Sequence, residues 1–380
     1  MLFTYMIPRI YDNLEKQIRP QKALVIYGPR RVGKTTILEN FLKKTTLKYK
    51  LDSGDNIRTQ QVLGSQDFTQ IFSFAEGYEL IAIDEAQQIP NIGMGLKIIV
   101  DKIANIKVIA TGSSSFDLAG QIGEPLTGRK NTIILYPISQ IELLSDMNRY
   151  ELKEKLEEFL IFGSYPEVVT ASKRAEKINI LQEIVNSYLL QDILSFDKVK
   201  GAKTLFNLLK LLSFQVGSEV SLNELATQLG IDTKTVGRYL DLLEKSFVIV
   251  SIGGLSRNLR SEITSKNKYF FLDNGIRNGV VSQFNTLDTR NDIGQLWENF
   301  VVMERLKKRS YKNIYCNSYF WRTYQGSEID LVEERGGNLF GYECKWSVKK
   351  RVTAPKDWLP NYPNANFEVI TPDNYLDFVT

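Results

Sequence analysis

The chain has 380 residues, enough for about two to four ordinary domains. Its 43% hydrophobic and 24% charged residues describe a globular protein, and a net charge of +4 is too small by itself to argue for a nucleic-acid partner. The absence of histidine excludes imidazole catalysis and imidazole-based zinc sites, and two cysteines, Cys316 and Cys344, supply neither a metal quartet nor a disulfide framework.

No run approaches the roughly 18 apolar residues of a membrane span. The stretch Met1–Arg9 has no basic region ahead of its apolar patch and no small-residue cleavage site, so a cytoplasmic protein without membrane contact is expected. An apolar strand over Lys22–Tyr27 then runs into Gly28-Pro29-Arg30-Arg31-Val32-Gly33-Lys34-Thr35-Thr36, with a helix predicted over Lys34–Lys44. Strand, G-x-x-x-x-G-K-[ST] and helix form the phosphate-binding loop arrangement. Its glycines let backbone N–H groups converge on phosphate oxygens, and the helix start adds its positive dipole end. Lys34 is expected on the β- and γ-phosphates and the Thr35 hydroxyl on Mg²⁺.

A second strand is predicted over Leu47–Asp52 and a third over Leu80–Asp84, which ends in the adjacent acids Asp84 and Glu85. Asp84 is expected to hold the Mg²⁺ shell opposite Thr35, and Glu85 to orient or deprotonate the attacking water. This acidic pair favours ATP hydrolysis over GTPase or small-molecule kinase chemistry. A helix over Gly95–Ala104 precedes a strand over Lys107–Thr111 that ends in hydroxyls. Thr111 and Ser113 are candidate γ-phosphate sensors, a simple helix-capping turn being equally open. Thr127-Gly128-Arg129 precedes a last strand over Thr132–Tyr136. Arg129 is either a surface residue or an arginine finger acting in trans within a homo-oligomer. The βα alternation predicts an α/β core over 1–142, a parallel sheet with helices on both faces.

Residues 143–203 read as a helical lid interrupted by Phe162-Gly163-Ser164-Tyr165-Pro166-Glu167. Over 204–285, a helix capped by Ser221 with Glu224 three residues on, a turn at Leu229–Thr233 and a helix over Lys234–Ser246 make a helix-turn-helix. Strands at Phe247–Ser251 and Lys268–Leu272 about a Gly253-Gly254 turn complete a winged helix. Thr233, Lys234, Thr235 and Arg238 stand where a recognition helix meets base edges, and Arg257, Arg260, Lys266 and Lys268 are placed to follow phosphates; packing against protein is the rival use.

The last unit, 286–380, holds a helix over Gly294–Arg309 and a hairpin about Gly336-Gly337. A turn centred there sets Asp330 opposite Glu343, where two like charges repel unless a divalent metal lies between them. Glu298 supplies a third acid, and Lys345 shares the face of Glu343. Carboxylate, then E-x-K on the next strand, is the pattern of metal-dependent nucleases, whose lysine orients the attacking water. A solvated sheet face with Glu–Lys pairs is the other reading.

Taken together, GPRRVGKTT, LIAIDEAQ, VIATGSSS, LTGR, GSYPE and LWENF…GSEIDLV…YECKW make the chain resemble AAA-type ATPases of bacteria and archaea. These carry a C-terminal winged helix and a nuclease-like domain, and their clade borders the STAND signalling ATPases. The resemblance implies ATP and Mg²⁺ at Lys34, Thr35, Asp84 and Glu85. It places the lid residues Gly163 and Pro166 near the adenine, Ser164 standing where the family often has glycine. It also implies a PD-(D/E)xK restriction-endonuclease-like fold with Glu298, Asp330, Glu343 and Lys345 at its motif, although no proline–aspartate pair precedes it. Two functions follow: an ATPase working on DNA, or an ATP-dependent regulatory switch whose C-terminal half is a protein scaffold.

Overall fold

The computed structural model describes residues 7–113, 126–189, 201–255, 266–323, 325–348 and 351–380. The strands of its first part follow the predicted order, with two further helices between the second and the third. β1 (Ala23–Tyr27) leads to α1 (Lys34–Lys44), then come β2 (Tyr49–Ser53), α2 (Ile57–Gly64), α3 (Phe68–Ala75), β3 (Leu80–Asp84), α4 (Ile92–Lys102), β4 (Lys107–Gly112) and β5 (Lys130–Ile134). The five strands are parallel, in the order β2-β3-β4-β1-β5. Successive residues of β1 point into different cores: Leu24 and Ile26 to one, Ala23, Val25 and Tyr27 to the other. A parallel sheet covered on both faces requires this, and it explains why β1 reads as an unbroken apolar run. β2 is an edge strand and leaves Tyr49 and Leu51 exposed.

The chain continues through α5 (Gln140–Leu143), α6 (Arg149–Glu154), α7 (Leu156–Phe162), α8 (Pro166–Thr170) and α9 (Arg174–Glu183). Gly163 ends α7 at φ +70°, and a Cβ there would lie 1.9 Å from Asp273 Oδ1. That carboxylate also accepts the Ser164 N–H at 2.7 Å, so the segment is fastened to Asp273. Gly163→Ala combines a left-handed φ with a steric clash and is expected to cost at least ~2 kcal/mol, read as a shift in the urea midpoint with m unchanged.

Beyond α10 (Ala202–Phe214) and β6 (Glu219–Val220), α11 (Leu222–Leu229) and α12 (Thr233–Lys245) form the expected pair of helices. Ser221 Oγ accepts the Glu224 N–H that opens α11, and Asp232 accepts from Thr235 N at 2.9 Å and Thr235 Oγ1 at 2.7 Å to open α12. β7 (Ile249–Gly254) and β8 (Asn267–Phe271) follow, then α13 (Asn274–Val280), α14 (Ile293–Lys312), β9 (Asn317–Arg322), β10 (Glu328–Arg335), β11 (Asn338–Cys344) and β12 (Asn366–Ile370).

The last two expected units share a sheet. Gly253 and Gly254 make no turn. They extend β7 and pair in parallel with Tyr319 and Phe320 of β9. One seven-stranded sheet, β12-β11-β10-β9-β7-β8-β6, therefore crosses the 285/286 boundary. The hairpin keeps its expected register: Leu331 pairs with Tyr342 and Arg335 with Asn338. Gly336 and Gly337 both have positive φ, +55° and +79°, as a two-residue primed turn demands.

Candidate nucleotide site and C-terminal carboxylate cluster

The phosphate-binding loop closes between β1 and α1 because glycine is required where backbone approaches backbone. A Cβ on Gly28 would stand 2.1 Å from the Leu135 carbonyl oxygen, and Gly33 takes φ +95° as the cap of α1. Pro29 and Val32 are buried, Arg30 and Gly33 half-buried, and Thr36 exposed. Lys34 is 5% exposed and folds back, its Nζ donating to the carbonyls of Gly28 at 3.0 Å and Pro29 at 2.8 Å. Those two oxygens hold the ammonium at the loop mouth.

Because β4 lies between β1 and β3, Thr111 at its end stands beside Asp84. Thr35 Oγ1 donates to Asp84 Oδ2 at 2.8 Å, and Thr111 Oγ1 donates to Asp84 Oδ1. The Glu85 N–H donates to Thr111 Oγ1 at 3.2 Å. Glu85 itself has φ +49°, and its Oε2 accepts from the Gln87 side-chain amide. Thr35, Asp84, Glu85 and Thr111 are thus brought together as the sequence implies, and Ser113 is buried at the end of the same strand. Gln87 was missed; its sequence signal is only its place two residues past an acidic pair.

A cleft of about 340 Å³ adjoins the loop, lined among others by Arg9, Thr36, Asn40, Pro166, Glu167 and Thr170. Pro166 is therefore at the cleft although Gly163 is not. Arg9, also unforeseen, braces its wall by donating to the carbonyls of Val32 at 2.5 Å and Tyr136 at 2.6 Å and to Glu142 at 2.9 Å. Loop residue Arg31 reaches across to Glu167 at 3.2 Å and Glu183 at 2.6 Å, tying the loop to α8 and α9. Arg129 is a half-buried residue at the molecular surface. It precedes β5, where its carbonyl accepts the Ala23 N–H, so it sits at the amino end of parallel strands whose carboxyl ends carry the phosphate loop. Its guanidinium pairs with Asp101 of its own chain at 2.5 Å.

In the C-terminal half of the chain, α14 supplies Glu298, β10 supplies Glu328 and Asp330, and β11 supplies Glu343, with Lys345 following. Lys345 Nζ lies 2.6 Å from Glu343 Oε1, and the Cys344 N–H donates to Asp330 Oδ2 at 2.7 Å. Burial pushes the Glu298 carboxyl well above its ordinary range, with Asp330 adding to the shift. The expected role of Lys268 on a phosphate backbone is corrected. Lys268 is 1% exposed, pairs with Glu328, and lies 3.6 Å from Glu298. Burial works against its charge, but Glu298, Glu328 and Asp330 outweigh it and raise its pKa. Among the described residues, no group of three His, Cys, Asp or Glu side chains stands ready to hold a metal ion. The expected trio of Glu298, Asp330 and Glu343 is not such a group as it stands, because Lys268 lies among these acids. On α12, Lys234 and Arg238 are exposed and Thr233 and Thr235 half-exposed, with Lys266 exposed before β8; Arg257 and Arg260 lie outside the described residues.

Residues 20–144 match the family model described as AAA domain. Residues 153–287 and 293–370 match two domains of unknown function, DUF8612 and DUF4143. The chain is similar to the uncharacterized protein Rv2008c of Mycobacterium tuberculosis, 26% identical over 336 residues, which are 88% of this chain and 72% of that one. It is also similar to an uncharacterized protein of Haemophilus influenzae, 29% identical over 308 residues, 75% of this chain and 74% of that one. Among solved structures it resembles the Walker-type ATPase paby2304 of Pyrococcus abyssi, 14% identical, with a TM-score of 0.47 over 73% of this chain and 96% of that one. The chain thus contains an AAA-like ATPase domain with a parallel-strand sheet. No helix among the described residues is long and apolar enough to cross a membrane.

Proposed function

We propose that this protein is a cytoplasmic ATPase that binds Mg-ATP at the β1–α1 loop, hydrolyses it, and couples the cycle to DNA held by α12. The observation that carries the first part is the contact of Thr35 and Thr111 with the two oxygens of Asp84. A hydroxyl and a carboxylate meeting beside a phosphate loop are the donor set that Mg²⁺ takes from a protein when substrate phosphates supply the rest. In this reading Lys34 exchanges its two loop carbonyls for phosphate oxygens, and Glu85 holds the attacking water. The loop amides of residues 28–35 and the start of α1 carry the triphosphate, and the cleft at Pro166 receives the base. Calorimetry with ATP and Mg²⁺ tests it; absence of heat would sink it.

The DNA part rests on the exposed cations of α12 and on exposed Lys266 ahead of β8. Reversing Lys234 and Arg238 to glutamate is expected to weaken duplex binding at least ~10-fold and to lower the salt slope by ~1 for each phosphate that is no longer neutralised. Fluorescence anisotropy across a salt series measures both quantities. Retained affinity with an unchanged slope would assign α12 to a protein surface instead.

A further inference from the structure

The carboxylates of the C-terminal half gather about an ammonium group that the chain itself provides. Lys268 arrives from β8, across the β7–β9 junction, and its Nζ pairs with Glu328 while standing 3.6 Å from Glu298. The Phe320 ring lies below it, 5.3 Å from Nζ to the ring centre. The turn ahead of β6 closes the same side: Gly217 has φ +71°, and a Cβ there would sit 2.5 Å from Glu298 Oε2.

A divalent ion needs several oxygens free to turn toward one point. Here Asp330 has committed Oδ2 to the Cys344 N–H, Glu343 has committed Oε1 to Lys345, and Glu328 is held by Lys268. Glu298 Oε1 and Glu343 Oε2 are buried without a hydrogen-bond partner among the described residues, and the ammonium of Lys268 stands among the carboxylates at the place a shared ion would need. The donor set therefore does not fit a resident metal. It fits a lysine, whose single charge and three N–H donors satisfy carboxylates without requiring a shell.

We propose that Lys268 is the built-in cation of this cluster, standing where a divalent ion would otherwise bind, so that Glu298, Asp330 and Glu343 accept a metal only when Lys268 is withdrawn. The inference is independent of nucleotide chemistry at the β1–α1 loop. Removing one partner of a buried ion set leaves the others uncompensated, and that imbalance is what recruits a metal.

The test is a Mn²⁺ titration of the full-length, nucleotide-free protein, with free Mn²⁺ read by electron paramagnetic resonance. Wild type and Asp330→Asn should take up Mn²⁺ equally, because any uptake at the phosphate loop is common to both. Lys268→Met should gain about one site, at least ~10-fold tighter than any the wild type shows, and lose it again when Asp330→Asn is added. Lys268→Arg, which keeps the charge, should behave as wild type. Loss of Mn²⁺ uptake in Asp330→Asn alone would overturn the proposal, as would a folded Lys268→Met that gains nothing. Should Lys268→Met fail to fold by circular dichroism, the wild-type and Asp330→Asn pair decides: equal uptake supports the proposal and unequal uptake refutes it.

Discussion

Lys34→Ala should lose Mg-ATP binding and, with it, turnover. The Lys34 ammonium is nearly sealed from solvent and held by two carbonyls at the loop mouth, so its position is set before phosphate arrives. Preorganised donors of this kind are worth about 3 kcal/mol each where charge develops, which is roughly 10²–10³ in rate. Affinity should fall as well, because a buried charge-assisted hydrogen bond to phosphate contributes about 1.5–3 kcal/mol. Titration calorimetry and phosphate release measure the two effects separately. Wild-type turnover in this variant would remove the catalytic reading of the loop.

Glu85→Gln should separate the two steps. The amide keeps the size of the carboxylate and can still accept from Gln87, so the loop after β3 is retained. Nucleotide affinity should therefore stay near wild type. Turnover should drop ~10²–10⁴-fold, the usual worth of a positioned general base. The decisive observation is the split: stoichiometric ATP binding with hydrolysis almost gone. A parallel loss of binding would instead make Glu85 a structural residue of the left-handed turn that it occupies.

Local chemistry made much of this legible. The phosphate loop announces itself because glycines, a lysine and a threonine must stand at fixed offsets between a buried strand and a helix. The hairpin register was equally accessible, since two glycines with positive φ leave one way to pair the flanking strands, and Leu331 duly meets Tyr342. Other features leave no local trace. Lys268 sits in Asn-Lys-Tyr, a stretch that reads as the rim of a wing, yet it is buried among acids brought from other elements. The place of Arg129 before a strand leaves a surface residue and a finger equally legible, and only tertiary structure shows its pairing with Asp101 at the amino end of the parallel strands. Gly163 reads as a residue of the lid, and only tertiary structure shows it packed on Asp273, over a hundred residues away.

From its residues alone, the chain determined the glycine-rich loop between a buried strand and a helix and the turn that aligns the hairpin, because those features are set by backbone conformation within a few positions. Tertiary structure decided which charges meet. The insertion of β4 between β1 and β3 places a hydroxyl on Asp84, and the pairing of Gly253 and Gly254 with β9 joins two expected units into one sheet. Across that joint a lysine enters a carboxylate cluster. Its energy comes from burial and from partners distant in sequence, and residue periodicity records neither.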